Sequence, residues 1–209
     1  MTAGLRKTAA LLALAVMFTG CSAPAESEAG AALPDVVGSM DIRYAEQFSV
    51  DYLADGSALA EVADGRRYLI IPDGGEVPEQ LPEDVTVISQ PENIYLASSS
   101  SMDLFSSLDC LGDILASSTP ESGWKLPEIA QAMADEDILY AGKYSSPDIE
   151  LLMSEGCDLA IENMMIYHSP KTAEQIESCG IPVFIERSSA ESHPLGRLEW
   201  VRLYGLMLG

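Results

Sequence analysis

Between Val85 and Ile185, short strand-like runs alternate with helix-like stretches, and nothing else in the chain constrains its fold as tightly. Val85–Ile88, Asn93–Ala97, Asp113–Ala116, Ile138–Tyr140, Asp158–Ile161 and Ile181–Ile185 read as strands. The segments from Ser98 to Cys110, Leu126 to Ala134, Pro147 to Ser154 and Pro170 to Ser178 read as helices. Prolines near the starts of three of them, and Gly156 and Gly180 just past two ends, are start and stop signals for helices. Strands separated by helices need crossover connections, so the expected class is α/β, a parallel-sheet lobe with flanking helices.

Upstream, residues 43–71 have a different rhythm. Phe48, Val50 and Tyr52 alternate, Asp55-Gly56 and Asp64-Gly65 are turn signals, and Arg67–Ile71 ends at Pro72. This predicts an N-terminal β-meander. Residues 73–84, rich in Gly, Pro and Glu, read as a loop.

The stretch from Pro194 to Gly209 predicts a helix with Leu195, Leu198, Trp200, Val201, Leu203, Tyr204, Leu206, Met207 and Leu208 nearly all round it. A helix apolar on every side is buried on every side. The expectation is therefore a linking helix (194–209) whose second face is covered by more protein, the chain being a fragment or the first half of a two-lobed molecule.

At the other end, Arg6 and Lys7 precede the apolar run Ala9–Phe18, and Thr19-Gly20-Cys21 follows. A basic start, a short apolar stretch and small residues describe a secretory signal peptide over residues 1–20. The run is too short for a membrane span, which takes roughly 20 residues. The cysteine directly after the small residue resembles a bacterial lipoprotein signal, which implies lipidation of Cys21 and a body anchored outside the membrane. Residues 21–40, rich in Ser, Ala, Glu, Gly and Pro, read as a flexible tether. The formal net charge of −22 disfavours sequence-independent binding to nucleic acid, which needs a basic surface. Cys110, Cys157 and Cys179 are an odd set without a CxxC, favouring buried thiols over disulfides.

Four stretches carry a family resemblance: Tyr140-Ala-Gly-Lys-Tyr-Ser-Ser-Pro-Asp-Ile-Glu150, Cys157-Asp-Leu-Ala-Ile-Glu162, Gly180-Ile-Pro-Val-Phe-Ile-Glu186 and Glu191-Ser-His-Pro-Leu-Gly-Arg-Leu-Glu-Trp200. In order and spacing they resemble the substrate-binding lipoproteins of bacterial ABC importers, the class that captures ferric siderophores, haem or cobalamin between two lobes joined by a rigid helix. The resemblance covers residues 41–209, with 41–193 as the N-terminal lobe. It implies a solute-binding component with an ABC permease and its ATPase as partners, no resident cofactor, no metal site and no catalytic residue. It also implies an extracytoplasmic, lipid-anchored location and an iron chelate or similar large ligand.

In an open α/β sheet, ligands sit beyond the C-terminal ends of the strands, and this selects the candidate binding residues. Ser99 and Ser100 open a helix, either as an anion site or as capping residues. Lys143 suits a ligand carboxylate and Tyr144 a planar chelate, or else they are a solvated lysine beside a packed tyrosine. Met164 and Met165 suit a soft pocket wall or a core. Arg187 is the charge best placed for an anionic ligand. Trp124 is either a ligand platform or a cap over a helix. The resemblance further implies that Glu150 docks on the permease. His168 and His193 have no ligand spacing and read as loop or structural residues. Arg197 and Glu199 are expected to form ion pairs between helix and lobe. Two other classes compete. A hydrolase is disfavoured by the lack of a Gly-x-Ser-x-Gly elbow. A surface interaction module on one α/β lobe needs no second lobe.

Overall fold

The structure, a computed structural model, describes residues 32–209; the expected signal peptide and Cys21 lie outside the described residues. Four strands form the meander: β1 (Val36–Ser39), β2 (Phe48–Leu53), β3 (Ala58–Val62) and β4 (Arg67–Ile71), each antiparallel to the next. Gly56 and Gly65 take positive φ in the turns, a conformation glycine adopts without a Cβ clash. Two features of this sheet were not expected. Residues 36–39 of the presumed tether pair with β2, since backbone pairing needs no apolar side chains. And β5 (Val85–Ser89) joins parallel to β4 instead of opening the second sheet.

The second sheet has the order β12-β11-β6-β7-β8, and every pairing in it is parallel. Its chain path is β6 (Ile94–Leu96), α1 (Met102–Ser107), β7 (Ile114–Ser117), α2 (Pro127–Ala134) and β8 (Leu139–Tyr140). A tight hairpin, β9 (Gly142–Lys143) and β10 (Ser146–Pro147), leads into α3 (Ile149–Ser154). Then follow β11 (Leu159–Asn163), α4 (Pro170–Ser178), β12 (Val183–Glu186) and α5 (Pro194–Leu208). The fold is therefore α/β with an N-terminal meander and a C-terminal helix. Pro147 does not enter α3, because Asp148 caps it by accepting from the Leu151 N–H at 3.0 Å. Among the described residues no helix is long and apolar enough to cross a membrane.

The main core lies between the two sheets, and α5 is built into it. Trp200, Leu203, Tyr204 and Met207 are fully buried there with Phe48, Tyr68, Phe105 and Phe184. Phe48 meets Trp200 edge-on at 4.9 Å between centroids, and Phe105 lies 4.9 Å from Tyr204. The opposite side of α5 keeps Leu198 55% and Leu195 44% exposed. The helix is thus buried on one face rather than all round. A second core fills the other face of the parallel sheet, where Leu152 of α3 and Ala173 and Ile176 of α4 pack on Tyr95, Ala160 and Ile185. Cys157 is buried there, Cys110 is half-buried and Cys179 is exposed, all three free. The exposed Cys179 departs from the expected buried thiol, because it follows the last turn of α4 on the solvent side.

Two carboxylates fasten α5 to the meander. Glu199 accepts from the backbone N–H groups of Arg43, Tyr44 and Ala45, the last at 2.7 Å. Glu191 takes those of Glu46 and Gln47 and the Trp200 indole N–H at 2.8 Å. Glu199 thus binds backbone rather than forming the expected ion pair, and Arg197 likewise donates to the Ser189 carbonyl. Desolvation pushes the Glu199 carboxyl up, but the three backbone donors and nearby Arg202 outweigh it and hold it below the usual range. Its stabilisation is therefore present above the unfolded value and lost as pH falls through the lower folded one. Gly196 lets the helix lie on this loop, for a Cβ there would stand 2.8 Å from the Tyr44 carbonyl oxygen. Alanine is normally favoured over glycine within a helix by about 1 kcal/mol. Here Gly196→Ala is expected to destabilise instead. Glu191→Ala, which orphans three N–H groups, is expected to cost roughly 2–4 kcal/mol. Urea unfolding of the two variants checks both.

Candidate functional site

All five strands of the parallel sheet end on the same edge, and the loops leaving it form a rim. Ser99 and Ser100 follow β6, Trp124 follows β7, Lys143 and Tyr144 follow β8, Met164 and Met165 follow β11, and Arg187 follows β12. Parallel pairing brings these sequence-distant residues to one end of the lobe. Ser99, Ser100, Lys143 and Met165 are exposed; Trp124, Tyr144, Met164 and Arg187 are half-buried. Glu150 is exposed in the first turn of α3.

The serine loop is organised by a residue that sequence reasoning passed over. Glu186, the last residue of β12, is 0% exposed. One of its oxygens accepts from Ser98 Oγ at 2.7 Å and Ser100 Oγ at 3.1 Å, and the other from the Ser188 N–H at 2.5 Å. Of the two serines expected to greet an anion, Ser100 thus already binds the chain's own carboxylate, while Ser99 does not. Ser101, at the N-cap of α1, makes no capping bond; its hydroxyl pairs with the Tyr204 hydroxyl at 3.0 Å. The serine run and the strand-end glutamate are 88 positions apart, and pairing at that separation is not legible from one sequence.

Arg187 is also engaged. Its Nε donates to Gln47 Oε1 at 3.1 Å and its Nη1 to the Tyr167 hydroxyl at 3.2 Å. Tyr167 in turn donates to Asp64, which pairs with Arg66 at 3.7 Å. Desolvation and the Asp64 bond push the Tyr167 phenol up, with Arg187 opposing. Trp124 donates its indole N–H to the Thr119 carbonyl at 3.2 Å and packs against the main core. Tyr144 packs against the second core. Asn163 caps the turn carrying Met164 and Met165, accepting from the Met165 N–H at 2.9 Å. His193 caps α5 through Nδ1, and His168 ends the turn after β11.

A pocket of about 240 Å³ opens at the rim between α1 and α5, lined by Ser100, Asp103, Leu104, Ser188, Arg197 and Leu198. An apolar one of about 330 Å³ lies at the far end of α5, near Gly205 and Leu208. Among the described residues no three His, Cys, Asp or Glu side chains gather to hold a metal ion.

The other strand-end glutamate contrasts with Glu186. Glu162 of β11 is also 0% exposed, yet neither of its oxygens has a hydrogen-bond partner, and nor has the buried Tyr95 hydroxyl. Burial alone pushes its carboxyl up to about 8. Side chains alternate along a strand, so Glu162 and Ile161 face opposite cores.

No family model matches the chain, and no curated protein matches it. Among solved structures it is similar to petrobactin-binding protein YclQ from Bacillus subtilis, at 14% identity and a TM-score of 0.43 over 56% of this chain and 39% of that one. It is also similar to the iron uptake ABC transporter substrate-binding protein PiuA from Streptococcus pneumoniae, at 16% identity and a TM-score of 0.45 over 57% and 39%. The catecholate-siderophore binding protein VctP from Vibrio cholerae matches at 15% identity and a TM-score of 0.36 over 48% and 33%. The matched part thus spans about two fifths or less of each of those chains.

Because Glu186 gathers three donors, its removal unbalances the serine loop. Glu186→Ala is expected to lower stability by roughly 2–4 kcal/mol and Glu186→Gln by less, since the amide oxygen still accepts from a serine. Chemical denaturation compares them.

Proposed function

We propose that this chain is the solute-binding part of an ABC importer, holding a large metal chelate of the ferric siderophore class against the rim. One observation carries the reading. Five loops from one edge of a parallel sheet bring together an exposed lysine, a half-buried tyrosine and tryptophan, two methionines and an arginine. A flat, partly apolar chelate with peripheral negative charge suits such a surface: aromatic and thioether groups cover its faces and a few cations orient it. The resemblance of the four sequence stretches supports the same class. Lys143 and Tyr144 are then the first ligand contacts, and Met165 adds a thioether from the loop after β11. Ser99 adds a hydroxyl, while Ser100 and Arg187 contribute through groups already ordered by Glu186 and Tyr167.

In this reading α5 connects two lobes, with Leu195 and Leu198 on its side away from the core. Glu150 meets basic residues of the permease, where charge complementarity sets orientation and on-rate. Lipidated Cys21 anchors the assembly to the membrane, two acyl chains being enough for stable attachment.

The test is titration calorimetry of the protein with ferric catecholate, ferric hydroxamate and haem, with the iron-free chelators as controls. Saturable binding of one ferric chelate is expected. Tyr144→Ala and Lys143→Glu should each weaken it about tenfold, near 1.4 kcal/mol. No saturable heat with any of them overturns the reading. In cells, Glu150→Ala is expected to leave binding unchanged and to reduce uptake of the bound chelate.

A further inference from the structure

Glu162 has no role in the binding reading, yet among the described residues it is a buried carboxyl with no hydrogen-bond partner on either oxygen. Its carboxyl group is fully buried, without a donor, at the end of the second core. An unpartnered carboxylate in such surroundings costs far more than a neutral carboxylic acid.

The next residue closes the rim. Asn163 Nδ2 donates to the Ala97 carbonyl at 3.1 Å, and Ser118 Oγ donates to the same oxygen at 3.0 Å. These two bonds clasp together the ends of β11, β6 and β7. We propose that Glu162 is a proton-operated switch on this clasp: with its proton on, the clasp stays shut, and with its proton off, the rim opens to let water reach the carboxylate.

The surroundings leave the charge no alternative. The neighbouring titratable groups at this core are Tyr95 of β6 and Cys157, both buried, Tyr144, half-buried against its edge, and Tyr140 of β8, which reaches solvent. Burial pushes Tyr95 well above its ordinary value and Cys157 up to about 11, so both are neutral and neither is a counter-ion. The helices packed on this core turn their charges outward: Glu150 and Glu155 at α3, and Lys171, Glu174 and Glu177 of α4, are exposed. Asp148 and Lys143 before α3 and His168 before α4 are exposed as well. On β12, Ile185 stands opposite Glu162, and Glu186 points into the other core with its own donors. Water is the remaining solvent for the anion, and the half-buried Asn163, the last residue of β11, stands next to Glu162 at the rim.

The sign follows from burial. A carboxyl lifted from 4.5 to about 8 binds its proton more tightly in the closed state than in the open one. Closure is therefore favoured fully at pH below the ordinary glutamate value and is lost as pH rises through about 8. The switch holds whatever solute the rim takes.

Amide hydrogen exchange, corrected for the intrinsic pH dependence of the rate, tests it at about pH 6 and about pH 9.5. In the wild-type protein, segments 97–101, 117–119 and 163–168 are expected to lose about tenfold in protection at the higher pH, while β2 to β4 keep theirs. Glu162→Gln, neutral at both, should hold its rim protection. A rim indifferent to pH in the wild type, or an equal loss in Glu162→Gln, overturns the switch. Should that variant fail to fold, carbon-13 NMR of the wild-type carboxyl groups decides. One buried glutamate titrating near pH 8 supports it, and all glutamates titrating in the ordinary range refutes it.

Discussion

The seating of α5 between the two sheets depends on the way two glutamates hold five successive backbone N–H groups. Residues 43–47 run between the edge of the meander and α5, and their amide hydrogens would otherwise be left without partners in a partly buried place. Glu199 takes three of them and Glu191 takes two more along with the Trp200 indole. That arrangement fixes the rotation of α5 about its axis. Trp200, Leu203, Tyr204 and Met207 then face inward, into a core between two sheets that also meet directly where Tyr68 of β4 packs on Phe184 of β12 at 4.7 Å between centroids. Gly196 is the steric counterpart, the one place where the helix comes close enough to the loop to exclude a side chain.

The same economy of donors explains why two glutamates at neighbouring strand ends behave so differently. Glu186 faces the core that contains the serine loop, and three donors converge on it. Glu162 faces a core lined by alanines and aliphatic side chains, and no donor reaches it. Two-residue periodicity puts one on each side of the sheet; the tertiary partners then decide how many donors each one finds. Both lie just below the rim. The rim's shape therefore depends on hydrogen bonds made by residues that never reach the surface.

Much of the architecture was legible in local patterns. The turns at Asp55-Gly56 and Asp64-Gly65, the α4 boundaries at Pro170 and Ser178, and the parallel sheet implied by alternating strands and helices all follow from short-range chemistry. The misses are equally physical. Val36–Ser39 carries four exposed residues and was invisible as a strand, because pairing to β2 uses backbone groups common to every residue. Val85–Ser89 has the right composition for a strand, but composition does not say which sheet it joins. In the candidate site, strand-end loops could be picked out because crossover topology dictates where they emerge. That Ser98 and Ser100 bind Glu186, and that Arg187 is tied to Gln47 and Tyr167, required side chains up to 140 positions apart to meet.

Sequence by itself determined most of the elements, their order and the end of the sheet where the loops gather, since periodicity, turn residues and connection rules act over a few residues at a time. Tertiary structure alone decided which side of α5 is buried, which serines are already occupied, and which buried carboxyl finds hydrogen-bond donors. Those outcomes depend on what stands across the core within hydrogen-bonding reach. No local pattern records it, because donor and acceptor are brought together only when the two sheets close on the helix.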